Sequence, residues 1–147
     1  ITRRGGPPGR NLIDKIFTPP GYIIISASFG PIPTKTILSR EIIFEDINLH
    51  GGKCIRKLLF SPSIDNFLKL SRDFVEKTGL LTSRVSEVLE KLDKINVASS
   101  MCMIGETVFT IVKESVKSSV ISVMEKFFEK NRIISTPINN TGLLVYW

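Results

Sequence analysis

The 147-residue chain has one histidine, His50, and two cysteines, Cys54 and Cys102. A lone imidazole supplies neither a zinc cluster nor a Ser-His-Asp set, because each needs several partners brought together. Two cysteines far apart in sequence and in apolar surroundings do not make a disulfide framework. No apolar run approaches the roughly 20 residues that a membrane span requires, and no basic, apolar, small-residue signal opens the chain. A cytoplasmic location without a membrane partner is therefore expected. Also missing are a block of basic residues, a Gly-x-x-x-x-Gly-Lys-Ser/Thr loop, a Gly-x-Gly-x-x-Gly loop, an internal repeat and low-complexity sequence. The chain thus has no self-contained phosphate cradle, and catalysis by this stretch alone is not expected.

What is present suits one globular domain: 42% hydrophobic residues, 8% of the chain aromatic, are enough to bury a core. The net charge of +6 suits an anionic partner. Lys and Arg are spread beside Glu and Asp, however, and this pattern reads as solvated faces. An RNA-binding domain would need aromatic residues on its central strands. Neither Ile23–Ser28 nor Met101–Ile104 has them, so no nucleic-acid partner is expected. The first residue is Ile1 rather than Met, which reads as a portion of a longer protein.

Along the chain, Arg3-Arg4-Gly5-Gly6-Pro7-Pro8-Gly9 cannot continue a helix or pair fully in a sheet, so residues 1–21 read as an irregular linker and 22–147 as the domain. Tyr22–Phe29 is a β-branched apolar run stopped by Gly30-Pro31, a central strand. Apolar residues from Ile42 to Leu59 recur at helical spacing, with a break expected at Gly51-Gly52 and a restart capped by Ser61-Pro62. The next helix carries Phe67, Leu70 and Phe74 on one face and ends at Gly79. Thr82 caps a third with Val85, Val88, Leu89 and Leu92 at i, i+3, i+4 and i+7.

Ala98–Ile104 and Thr107–Val112 read as a hairpin turning at Gly105-Glu106. A helix with Val116, Val120, Val123, Met124 and Phe127 on one stripe follows, then a strand over Arg132–Thr136, a turn at Asn140–Gly142 and a short strand over Leu143–Tyr146. Asn139-Asn140-Thr141 fits the glycosylation pattern but reads as part of that turn. Strand, helices, strand, strand, helix, strand is the split βαβ order. The expected fold class is α+β, ferredoxin-like, with an antiparallel sheet covered on one face by helices.

Three places carry candidate chemistry. Arg3 and Arg4 beside Gly5-Gly6 offer guanidinium forks and backbone N–H groups to a carboxylate or phosphate, or form a solvated arm. Thr34-Lys35 follows the first strand, as a ligand-facing loop or as a helix cap with an exposed lysine. In Ala98–Met103, the small hydroxyl residues Ser99 and Ser100 let a ligand or a neighbouring backbone approach closely, while Met101 and Met103 read as core fillers.

Four stretches together resemble the archaeal pantoate kinases of the GHMP kinase superfamily. They are Arg3–Gly9, Phe29-Gly30-Pro31-Ile32-Pro33-Thr34-Lys35, Asn66–Thr82 with Ser71-Arg72-Asp73-Phe74 and Thr78-Gly79-Leu80-Leu81-Thr82, and Ala98–Phe109. The resemblance implies the carboxy-terminal domain of such a kinase, with the Gly- and Ser-rich ATP loop in a domain before Ile1. The implied reaction moves the ATP γ-phosphate to the hydroxyl of pantoate, with Mg2+ neutralising charge. The superfamily's third motif lies beside the phosphates, and by order its counterpart is Ser99–Gly105, which keeps Gly105 but departs from the Gly-rich form. The resemblance gives Arg3 and Arg4 to the pantoate carboxylate or phosphates, Lys35 to charge stabilisation, and Ser99, Ser100 and Gly105 to the cleft wall, with Gly5, Gly6, Thr34 and Met101 in the same substrate- and phosphate-binding set. It places no metal ligand here and leaves the catalytic group to the other domain. A surface facing that domain would be apolar, so self-association into a homo-oligomer is expected. The alternative is a stand-alone ferredoxin-like module that binds a metabolite without catalysis.

Overall fold

The computed structural model describes residues 16–31, 41–102 and 105–140, and for 41–46 the backbone alone. Strand β1 runs Tyr22–Pro31, β2 Ser99–Met101, β3 Gly105–Lys113 and β4 Ile133–Pro137. Helix α1 spans Glu41–Phe60, α2 Ile64–Lys77, α3 Ser83–Asp93 and α4 Lys117–Met124, with short 3-10 turns at Glu114–Val116 and Lys130–Arg132. The strands form one sheet in the order β2-β3-β1-β4, with every neighbouring pair antiparallel. This is the split βαβ arrangement expected from the order of elements. Among the described residues no helix is long and apolar enough to cross a membrane.

Side chains alternate along a strand, so β1 sends Ile23, Ile25 and Ala27 into the core while Ile24 and Ser26 stay half-buried on the other face. Val108 and Val112 of β3 join the buried side, and α3 and α4 close over it with Val85, Val88, Leu89, Leu92, Val120 and Met124. The four α3 residues are fully buried, each worth about 1.5–3 kcal/mol of apolar transfer, and their burial makes α3 the anchor of the helical layer. Thr82 caps α3 by accepting from the Val85 N–H at 3.5 Å. At the opposite end of the sheet, the Asn140 side chain accepts from the Thr18 N–H at 3.3 Å and donates to the Thr18 carbonyl at 2.9 Å. This clamp ties the chain before β1 to the chain after β4.

The structure corrects the sequence reading in five places. Helix α1 runs unbroken through Gly51-Gly52. Glycine weakens a helix without forbidding it, and packing on α2 outweighs the penalty: a Cβ on Gly51 would stand 3.6 Å from Phe74 Cε2. The cap of α2 is Ser63, not Ser61: its Oγ accepts from the Asn66 N–H at 3.1 Å, while the Asn66 amide donates to the Ser61 carbonyl at 2.7 Å.

Gly105-Glu106 is not the hairpin turn. Ser99 faces Thr110 and Met101 faces Val108, and Gly105 lies inside β3 opposite Pro31. Pairing with β1 recruits both residues into the strand, overriding their local turn propensity. Helix α4 is shorter than its apolar stripe: Val116 sits in a 3-10 turn, and the chain turns after Met124 so that Phe128 enters the core while Phe127 lies at its margin. Strand β4 is displaced by one residue, to Ile133–Pro137, by its register on β1. The expected strand over residues 143–146 lies outside the described residues.

Candidate functional site

At one end of the sheet β1 finishes, β3 begins and the first turn of α3 comes alongside. The β1–β3 register slips between Ser28 and Pro31, where Gly30 takes a φ of +141°, a conformation suited to glycine. The Ser28 Oγ accepts from the Gly30 N–H at 3.2 Å and from the Thr107 hydroxyl at 2.9 Å. Gly105 borders this corner, and a Cβ on it would stand 3.5 Å from Thr107 Oγ1 and 3.9 Å from the Gly30 carbonyl. These are ordinary contacts at a buried position, so glycine here relieves no clash and lets β1 and β3 pack closely at their ends.

Glu106 shares the buried alternation of Val108 and Val112, so its carboxylate points to the helical side. Its side chain is only 12% exposed, and a buried carboxylate needs a cation. Arg84, one residue into α3, supplies it through an Nη2 hydrogen bond to Glu106 Oε2. The same guanidinium lies over the Phe29 ring, 5.1 Å from its centroid, and Phe29 stacks on Phe128 at 4.3 Å. Arg84 itself is 63% exposed. Seated on an aromatic ring and held by a carboxylate, it presents a fixed fork of N–H donors at the surface, a form suited to carboxylate or phosphate.

Arg3, Arg4, Gly5, Gly6, Thr34 and Lys35 lie outside the described residues. Of the four candidates that are described, Gly105 stands at the sheet end, paired with Pro31. Ser99, Ser100 and Met101 form β2, one strand further out, and all three are buried, Ser100 completely. The hydroxyls of Ser99 and Ser100 have no hydrogen-bond partner. The small side chains let α2 pack closely on β2.

Sequence reasoning missed Arg84, Ser28 and Thr107. One signal was available: Glu106 alternates in step with Val108 and Val112, and an acid on the inward face of a strand calls for a cation. Among the described residues no group of three or more His, Cys, Asp or Glu is placed to hold a metal ion.

Beyond the β2 edge, α1 and α2 enclose an apolar pocket of about 360 Å³, lined by Cys54, Leu58, Phe67, Leu70, Phe74 and Phe109 among others. Both cysteines are free, and the Cys54 thiol donates to the Leu70 carbonyl at 3.6 Å. Burial, then the charge of Asp73, pushes the Cys54 thiol above its ordinary range.

No family model matches the chain. It is 34% identical over 113 residues to the pantoate kinase of Methanocaldococcus jannaschii, covering 77% of this chain and 42% of that protein. It is 33% identical over 110 residues to the pantoate kinase of Thermococcus kodakarensis, covering 74% of this chain and 36% of that protein. Against the pantoate kinase of Methanospirillum hungatei the identity is 30% over 137 residues, 93% of this chain and 43% of that protein. A solved phosphotransferase related to the CoA biosynthesis pathway superposes with a TM-score of 0.76 at 25% identity, over 92% of this chain and 46% of that one. Mevalonate diphosphate decarboxylase from Staphylococcus aureus superposes at 0.54 with 11% identity, over 79% of this chain and 43% of its own, and shares the fold alone. The chain thus spans about two fifths of the length of its curated relatives, and the matches fall on their carboxy-terminal part.

Proposed function

We propose, from the premise that this chain is related to the pantoate kinases over most of its length and matches their carboxy-terminal part, that it forms one wall of a kinase cleft. The cleft transfers the γ-phosphate of ATP to the hydroxyl of pantoate, giving 4-phosphopantoate on the way to coenzyme A. The ATP-holding loop belongs to the part of the enzyme that this chain does not span. The kinship with three pantoate kinases is the observation that carries this reading. The geometry supports it: pairing of Pro31 with Gly105 joins two of the stretches that carry the resemblance, and Arg84 adds a cation beside them.

In this reading Arg3 and Arg4 meet the pantoate carboxylate or the phosphates, Lys35 stabilises charge, and Gly5, Gly6 and Thr34 belong to the same binding set. Gly105, buried at the start of β3, lets the end of β1 pack closely at the cleft wall. Ser99, Ser100 and Met101 shape the wall from beneath rather than from its surface, because they are buried. Phosphoryl transfer ordinarily uses magnesium. The described residues do not fit a magnesium site, since they hold no acidic cluster and Glu106 is engaged by Arg84, so no metal-dependent step is assigned to them. The reading places the enzyme in the cytoplasm, where Cys54 and Cys102 stay reduced, and has it self-associate through apolar surface such as Phe60, which is 93% exposed.

The test is turnover by the protein encoded by the complete gene. With pantoate and ATP, phosphorus NMR is expected to show a phosphomonoester appearing in step with ADP. Phosphorylation of a different hydroxy acid but not pantoate, or no ATP consumption with pantoate, would overturn the proposal.

A further inference from the structure

We infer that Arg84 is an oxyanion-binding residue of this cleft, recognising a carboxylate or phosphate of the small-molecule substrates. The inference rests on the kinase reading above and adds to it a residue that the resemblance does not supply.

Three observations carry it. The first is an asymmetry of exposure within one ion pair: Glu106 is 12% exposed and Arg84 63%. Neutralising a buried acid takes only part of a guanidinium, and keeping the rest in water avoids the cost of desolvating it. Arg84 satisfies Glu106 through Nη2 and keeps most of its surface in solvent. A guanidinium has five N–H donors, so one engaged by Glu106 leaves capacity for a bidentate contact with a second oxyanion.

The second is preorganisation. The Phe29 ring beneath the guanidinium and the carboxylate beside it fix a side chain that otherwise loses rotamer freedom on binding, and Phe29 is itself held against Phe128.

The third is position. Phe29, Gly30 and Pro31 close β1, and Gly105 and Glu106 open β3 across from them. Arg84 therefore sits where two of the stretches that carry the resemblance meet. The two oxyanion sources are the carboxylate of pantoate and the phosphates of ATP, and the experiment separates them.

In the complete protein, Arg84→Ala removes the fork and leaves Glu106 unpaired. The double variant Arg84→Ala/Glu106→Gln removes the buried charge as well. A purely structural role for Arg84 predicts that the double variant regains both melting temperature and wild-type KM values. The inference predicts that the melting temperature recovers while one KM remains raised by about 10- to 100-fold, the loss of a charge-assisted hydrogen bond. A raised KM for pantoate assigns Arg84 to the carboxylate, and a raised KM for ATP assigns it to the phosphates. Arg84→Lys, which keeps the charge and loses the fork, is expected to rescue part of the loss.

Titration calorimetry with ATP, pantoate and inorganic phosphate reads the same loss without turnover, so failure of the kinase reading is distinguishable from failure of this one. Wild-type protein that binds but does not phosphorylate pantoate counts against the kinase reading. A double variant with wild-type affinity and KM for both substrates overturns the role of Arg84.

Discussion

Two regions of the molecule, the sheet end and the flank beyond β2, differ in how their groups are satisfied. At the sheet end the polar groups have specific partners: Ser28 with Gly30 and Thr107, Glu106 with Arg84, and Arg84 also with the Phe29 ring. At the flank beyond β2, α1 and α2 meet across about 360 Å³ of apolar space, and a weak thiol hydrogen bond is their polar tie at the pocket. A matched polar corner holds side chains in one geometry, as recognition requires. Loosely filled apolar space contributes burial without fixing geometry. The difference fits the proposal that recognition belongs to the sheet end, while the flank decides how firmly α1 is held.

The largest expected effect comes from α3, whose first turn carries Arg84. Leu89 is fully buried at the middle of α3, and Leu89→Ala is expected to lower stability by about 3 kcal/mol, from lost transfer energy plus the cavity left behind. Leu70 is nearly as buried but already borders the pocket, so Leu70→Ala has fewer contacts to lose and is expected to cost clearly less. Denaturant midpoints of the two variants make the comparison. Equal losses would mean that the flank is as tightly packed as the core.

A smaller effect of opposite sign is expected at Gly51. It lies inside α1, and an added Cβ would make an ordinary contact with Phe74 Cε2. Gly51→Ala is expected to raise stability by about 0.5–1 kcal/mol, through the helix propensity that glycine forgoes. Thermal unfolding tests this, and destabilisation would show that α1 needs glycine at that turn.

What was legible in the sequence follows from the range of the interactions involved. Helices α2 and α3 were read from residues within a few positions of one another: the Thr82 cap, Gly79 with its φ of +64°, and the spacing of Val85, Val88, Leu89 and Leu92. The strand order followed from the order of elements. The continuity of α1 was not legible, because contact with α2 decides it and the Gly51-Gly52 pair argues locally the other way. The start of β3 was misread for a similar reason, since pairing of Gly105 with the distant Pro31 outweighs the turn preference of Gly105-Glu106. Of the candidate site, Ser99 and Ser100 were legible as small residues on a strand, but the burial of their hydroxyls depends on α2 packing against β2. Arg84 was not legible, because its significance comes from Glu106 and Phe29, which only the fold brings to it.

The smallest effect tests whether the flank can be disturbed without touching the sheet end. Asp73 and Lys77 form an ion pair one turn apart on α2 at 2.7 Å, with their side chains 34% and 51% exposed. The hydrogen bond from Lys77 holds the Asp73 carboxyl below its ordinary value of 3.8, and Asp73 in turn raises the Lys77 ammonium above 10.5. A depressed carboxyl stabilises the fold above its unfolded value and loses that contribution as pH falls through the folded one. A raised ammonium stabilises below its unfolded value and loses the contribution as pH rises through the folded one. The pair therefore acts between these limits, and weakly, because both groups face solvent. Asp73→Asn is expected to lower the melting temperature slightly at neutral pH, and the difference from wild type should close below about pH 3.8. The same change removes a charge that raises the Cys54 thiol, so Cys54 should react somewhat faster with a thiol reagent at pH 8. If the proposed cleft lies at the sheet end, kcat/KM of the complete protein for ATP and pantoate is expected to stay at the wild-type value. A fall in kcat/KM without loss of folded protein would couple the two regions and undo the separation drawn between them.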